Sequence, residues 1–213
     1  MATITAHALL LLSVSSLVLL LSRAWRRWPF VLPWLALTAF IGWRGDLADF
    51  SYTPALLQRL LLPTVLLTVV VALRGRFSLT LRALVLFQTF RIAVEVMLWL
   101  YYRDGVIPEQ MTFEGRNWDI LTGLLALPVA LRPSRPLLWA WNILGLGLLL
   151  NVVIVANLSF PTPYRRFPEL TAVVHFPLIW LPLFLVPMAL FGHLLLFRFL
   201  FAKRRLDDPT PFV

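Results

Sequence analysis

Apolar residues fall into runs at 6–22, 29–43, 54–73, 79–102, 118–131, 136–157 and 172–201, with only short polar punctuation between them. A helix needs about 20 residues to cross a bilayer core, so each run is a candidate span. The second and fifth runs are short. Each must recruit flanking residues, lie where the bilayer is thin, or be re-entrant, which leaves six or five spans as the alternatives to seven. Turn signals separate the runs: Arg74-Gly75-Arg76, Arg132-Pro133-Ser134-Arg135-Pro136 and Ser159-Phe160-Pro161-Thr162-Pro163. They leave no room for a soluble domain. The pattern predicts an all-α membrane protein, a single bundle of about seven transmembrane helices over residues 1–213.

Composition agrees. The chain is 60% hydrophobic and 14% charged, with a mean hydropathy of +0.84. That is too little polar surface to cover a water-soluble globule of this size, so the lipid bilayer is the expected partner. Sixteen prolines fit the same picture, because membrane helices tolerate proline where neighbours re-satisfy the freed backbone. The absence of cysteine excludes disulfides, thiol nucleophiles, Fe–S clusters and thiolate zinc sites.

The net charge of +9 is spread in small clusters between apolar runs, which argues for membrane topology over nucleic-acid binding. If the first run ends inside, the inner segments carry twelve basic residues against two acidic ones, and the outer segments six basic against seven acidic. This alternation predicts the N-terminus out and the C-terminus in. The first run is followed by Arg23, Arg26 and Arg27 and preceded by no basic residue, so it reads as an uncleaved first span and not as a secretory signal. Aromatics at the run ends, such as Trp25, Trp28, Trp43, Trp99 and Trp118, suit the two interfaces.

Candidate chemistry centres on the fourth run. Arg91 and Glu95 lie deep within it, and a mid-bilayer charge costs several kcal/mol unless paired or hydrated. Their i, i+4 spacing puts them on one helical face within reach of each other, and Gln88 extends that face. Such a stripe must look into the bundle or a wet cavity. The following loop concentrates Glu114, Arg116, Asn117 and Asp119 just before the short fifth run. Asn117 or Asp119 is a candidate helix cap, and the segment is expected to dip toward Glu95 and form a polar vestibule. Arg91, Glu95, Glu114, Arg116, Asn117 and Asp119 are therefore the candidate solute-binding residues.

Gln88, Asn151, His175 and His193 are secondary candidates. His175 and His193 are eighteen residues apart, about 27 Å of helix, too far to share one metal. Asn142 is expected level with His193, where interhelical hydrogen bonding is its simplest role, and Asn151 level with Glu95. Pro177, Pro182 and Pro187 recur every five residues in the seventh run and predict kinks.

Phe90-Arg91-Ile92-Ala93-Val94-Glu95, Pro108, and the string Met111-Thr112-Phe113-Glu114-Gly115-Arg116-Asn117-Trp118-Asp119-Ile120-Leu121-Thr122-Gly123 resemble a family of uncharacterised bacterial multi-pass membrane proteins. The last run, with Phe176-Pro177, Trp180-Leu181-Pro182, Val186-Pro187 and His193-Leu194, is similar to that family's final helix. The resemblance covers about the C-terminal two-thirds of the chain. It implies a location in the bacterial inner membrane and no particular activity.

No nucleotide-binding glycine loop, Gly-x-Ser-x-Gly elbow or His-Glu-x-x-His pair occurs, and no cofactor or metal is predicted. The only lysine is Lys203, outside every run, which excludes a retinal Schiff base. Three function classes stay open: a small-solute or proton/cation channel or carrier, a structural or assembly subunit with a partner membrane subunit or a second copy, and a membrane-embedded redox or lipid-linked enzyme. The first accounts for the buried charges, the acidic loop and the proline-rich last helix together.

Overall fold

The computed structural model describes residues 2–48 and 53–202, without the side chains of 53–56 and 58. Asp49 and the basic and acidic residues from Lys203 onward, which enter the charge count, lie outside the described residues. The chain is all-helical, and no strand occurs among the described residues. The helices are α1 (Ala2–Ala24), α2 (Val31–Arg44), α3 (Thr53–Arg74), α4 (Leu81–Phe87), α5 (Phe90–Arg103), α6 (Ile120–Leu131), α7 (Arg135–Asn157) and α8 (Val186–Phe201). Counting α4 and α5 as one broken helix gives seven. Among the described residues, four segments are long and apolar enough to cross a membrane: Ala2–Ala24, Leu81–Arg103, Arg135–Asn157 and Leu181–Phe201.

Helix α1 shows why lipid is the solvent. Ala6, Leu10, Val14, Leu17, Leu21 and Ala24 recur every three or four residues and are buried, a stripe that packs along α5. Its other face also carries large apolar side chains, and Leu12 and Leu19 stand more than half exposed. Exposed Leu62, Leu66 and Leu67 on α3 and Leu150 on α7 continue this outer coat. Exposed leucines over several long helices mark a membrane protein. Hydroxyls are silenced within their own helices, as when Ser13, Thr64 and Thr68 donate to carbonyls four residues back.

Two of the apolar runs are not continuous helices. The fourth breaks at Gln88 and Thr89, whose N–H groups bond three residues back, to Val85 and Leu86. Thr89 also donates its hydroxyl to the Leu86 carbonyl at 2.8 Å, and Gly123 of α6 fits so closely that a Cβ there would lie 2.7 Å from Ile92 and 3.3 Å from the Gln88 carbonyl. The seventh run opens with a short turn at Ala172–Val174, and only from Leu181, through a π-helical turn at Leu181–Leu185, does it become a continuous helix into α8. Pro177 and Pro182 lack the donors that a helix starting at residue 172 would need.

The last helix sits at the centre. Helices α3, α4 and α7 all pack on α8, and α6 packs on α4, α5 and α7. Arg198 of α8 donates to the carbonyls of Ala72 and Gly75 at 3.3 and 2.6 Å, placing a cation at the negative end of α3. Helix α2 is tied to the last helix by two indoles. Trp34 donates to Leu183 O at 2.9 Å, and Trp180 donates to Leu35 O and the Thr38 hydroxyl, both at 3.2 Å.

Candidate functional site

Helix α6 has only twelve residues, about 18 Å of helix against a core of about 30 Å. The chain between α5 and α6 descends into the bundle. A short 3-10 turn at Glu109–Met111 leads to Asn117 and Asp119, both buried. Asn117 donates its amide to Glu95 Oε1 at 2.7 Å and to the Met111 carbonyl at 3.1 Å, and its own Oδ1 accepts the Asp119 N–H at 3.2 Å. The segment is thus fixed to α5 through one asparagine.

Asp119 occupies the N-cap position of α6 but makes no side-chain cap; its carboxylate goes to Arg91. Arg91 Nε donates to Oδ2 at 2.6 Å and Nη2 donates to Oδ1, a two-pronged pair. The other Arg91 donors run to α7 and α8, with Nη1 to His193 Nε2 at 2.8 Å and Nη2 to Gly145 O at 3.4 Å. His193 Nδ1 faces Asn142 Oδ1 at 2.7 Å, and Asn142 donates back to the His193 carbonyl at 3.3 Å. The donors and acceptors fix the tautomer: Nε2 must accept from a guanidinium, so Nδ1 carries the proton and the ring is neutral. Asp119, Arg91, His193 and Asn142 form one chain of hydrogen bonds joining four segments.

Small residues make room for this chain. A Cβ on Gly145 would lie 2.5 and 2.9 Å from two atoms of the His193 ring and 2.7 Å from Thr122, and a Cβ on Gly192 would lie 2.7 Å from the Gln88 amide. Close helix approach through glycine is the usual packing device where lipid removes the hydrophobic drive.

Glu95 is a separate case. It is 2% exposed, and no hydrogen bond or ion pair joins it to Arg91 among the described residues. The i, i+4 spacing gives reach but no pair; Arg91 pairs with Asp119, whose planar carboxylate meets the guanidinium fork head-on. Asn117 holds Oε1, while Oε2 is buried with no hydrogen-bond partner among the described residues. Glu95, Arg91, Asn117 and Asp119 together line a cavity of about 110 Å³ between α3, α5, α7 and the last helix. Among the described residues, Asn157 is the only other polar one on its wall; the rest is Leu, Val, Phe, Ala, Met and Pro.

The remaining candidates fall outside this cluster. Gln88 is buried on the other side of the α4–α5 break, donating to Ala189 O at 3.0 Å with Oε1 unpartnered. Glu114 is exposed and accepts from the Trp99 indole at 2.8 Å. Arg116 lies over the Phe167 ring at 5.1 Å, and its carbonyl accepts from Asn151 at 2.7 Å, so Asn151 braces the loop and does not reach Glu95. His175 is exposed. The bond from Arg91 to His193 and the role of Gly145 were not read from the sequence; a glycine inside an apolar helix facing another helix's histidine was the available signal.

Over the segment that carries this site, residues 52–201 match a family described as Domain of unknown function (DUF8737). The chain belongs to that family. The match takes in α3 through α8, and therefore every side chain of the Arg91 network and the Glu95 cavity, while α1 and α2 precede it. No curated protein and no solved structure is significantly similar to the chain.

Proposed function

We propose that this protein is a seven-span inner-membrane carrier or channel for protons, cations or small solutes, with its N-terminus outside the cytoplasm and Glu95 as the binding group. One observation carries the reading: Glu95 keeps an unpartnered oxygen on a cavity wall, although a guanidinium lies one helical turn away. A buried carboxylate without a partner is costly. A site built for stability alone would spend Arg91 on it; here Arg91 is committed to Asp119 and His193. The division of labour leaves Arg91 to hold the helices and Glu95 to exchange a ligand or a proton.

The test is flux in proteoliposomes with an internal pH dye. Wild-type protein should dissipate an imposed gradient and Glu95→Gln should lose at least about tenfold of that rate, the scale on which removal of an essential exchange group acts. Equal flux from both proteins would dismiss Glu95 as the binding group. Topology is testable separately, because the chain has no cysteine: Gly105→Cys should react with an impermeant maleimide on intact spheroplasts, and Ser134→Cys only after permeabilisation.

A second reading, a structural or assembly subunit, draws on the Asp119–Arg91–His193–Asn142 chain, which ties together α5, α6, α7 and α8. On that reading Glu95→Gln alters stability or complex formation and no flux exists to lose.

A further inference from the structure

We infer that the Glu95 cavity takes a small lipophilic ammonium ion, a primary amine on a chain of a few carbons, in exchange for a proton. This names the substrate class for the carrier reading above and rests on it.

Charge comes first. Arg91 and Asp119 neutralise each other through two hydrogen bonds, and His193, behind Arg91, is neutral by its hydrogen-bond pattern. Among the described residues, Arg91 and Asp119 are the only other titratable residues on the cavity wall, and α3, α7 and the last helix bring none to it. An ionised Glu95 therefore leaves one negative charge without a partner, and either a proton or a cation removes it. An ammonium also brings a donor to Oε2, the acceptor left empty.

The walls decide which cation. A dehydrated calcium or magnesium ion needs about six or more oxygen ligands, and the described wall of the cavity offers two carboxylates, one of them already bound to Arg91, and two amides. A hydrated ion would lay its water against Leu149, Val152, Leu181 and Leu185, which give it no hydrogen bonds. An apolar body attached to the cation suits these walls instead. Size sets the limit: the volume of about 110 Å³ is below the roughly 150 Å³ of an apolar cavity known to admit benzene. A two-chain lipid or an aromatic ring exceeds it; an amine on a chain of a few carbons fits.

Proton and ammonium compete for the same carboxylate, so apparent affinity should fall as pH is lowered. No covalent step is involved: Glu95 releases its proton to water as the amine enters as its ammonium form, and regains one as the amine leaves.

Propylammonium is a suitable probe, with 1-propanol as the uncharged control, and binding to the full-length protein in detergent can be read by thermal shift and calorimetry. Propylammonium should stabilise wild-type protein, more weakly at low pH, and the effect should vanish in Glu95→Gln. Ala156→Phe, which puts a ring into the cavity and leaves Glu95 in place, should abolish binding with the unliganded melting temperature near that of wild type, so that loss of binding is not loss of fold. Binding of propylammonium that is unchanged in Glu95→Gln, or no binding at all, overturns the inference; if Glu95-dependent proton flux is then still seen, the carrier reading survives without this substrate class. Glu95-dependent binding with no flux of proton or amine supports the inference and dismisses the carrier.

Discussion

Trp34 donates its indole N–H to the carbonyl of Leu183 at 2.9 Å. In an α-helix that carbonyl would be served by the N–H of residue 187, which is proline and has none. A side chain from α2 thus supplies what the last helix lacks, just where its π-helical turn gives way to α8. Trp34→Phe keeps most of the apolar body and deletes the donor. It should destabilise the protein by about 1 kcal/mol, the scale of an interhelical hydrogen bond in a membrane protein, read as a lower unfolding temperature in detergent. An unchanged value would mean that another donor serves Leu183.

Arg91 and Asp119 are both buried, and removing either leaves its partner's charge stranded. Arg91→Met and Asp119→Asn should each cost about 3–5 kcal/mol. Arg91→Met combined with Asp119→Leu should cost less than the sum of the two single apolar changes, since no lone charge remains. A strictly additive double variant would show that the two groups do not act as a pair.

The helices were legible because lipid imposes long apolar runs, and most helix ends lie within a few residues of the run ends. What was not legible depends on three-dimensional pairing. Arg91 and Glu95 are neighbours in sequence, but Arg91 chose Asp119, 28 residues away, since an i, i+4 spacing states reach and not geometry. Asn142 was expected level with His193 and meets it, because both positions follow from counting residues along straight helices. Asn151 was expected level with Glu95 by the same count, yet its amide serves the Arg116 carbonyl at 2.7 Å. Rotation about the helix axis decides that, and an apolar helix with a polar residue on each of several faces does not announce its rotation.

Two glycines of α7 separate packing from propensity. A Cβ on Gly145 would strike the His193 ring and Thr122, whereas one on Gly147 would meet nothing within 4 Å. Gly145→Ala should destabilise by about 1–3 kcal/mol through overpacking. Gly147→Ala should be neutral or stabilise by up to about 1 kcal/mol from helix propensity. Unfolding temperatures of the two variants check the pair; equal behaviour would contradict the close approach of α7 to α8.

Asp104, just beyond α5, accepts from both the backbone N–H of Thr3, at 2.6 Å, and the Thr3 hydroxyl, fastening the positive N-terminal end of α1. The Thr3 hydroxyl and N–H hold the Asp104 carboxyl below the usual aspartate range. Because the folded value is the lower one, the contribution is complete above the unfolded aspartate value and is lost as pH falls through the folded one. Hydrogen exchange at the first turn of α1 should therefore quicken as pH drops through the acid range, beyond the intrinsic pH dependence of exchange, and Asp104→Asn should remove that excess. An excess that persists in the variant would assign it to another group.

Asn117 is the fastener that brings the α5–α6 segment to the cavity. Its amide is shared between Glu95 and Met111, and its carbonyl takes the Asp119 N–H, so one side chain sets both the free oxygen of Glu95 and the approach of Asp119 to Arg91. Asn117→Ala should therefore loosen residues 104–119 without touching the apolar helix packing, giving faster proteolysis in that segment and only about 1–3 kcal/mol loss of stability, the cost of buried groups left unpaired. Asn117→Asp is the sharper variant: it keeps the shape and the acceptor for Asp119 N–H but sets a second carboxyl against Glu95 Oε1, where an amide donated at 2.7 Å. Two carboxyls at that distance cannot both ionise. Asn117→Asp should thus retain the fold only with a proton held between the two groups, and should be more stable in acid than at neutral pH, the reverse of what a lost hydrogen bond alone would produce. A melting profile parallel to that of Asn117→Ala across pH would show that Asn117 and Glu95 are not in contact.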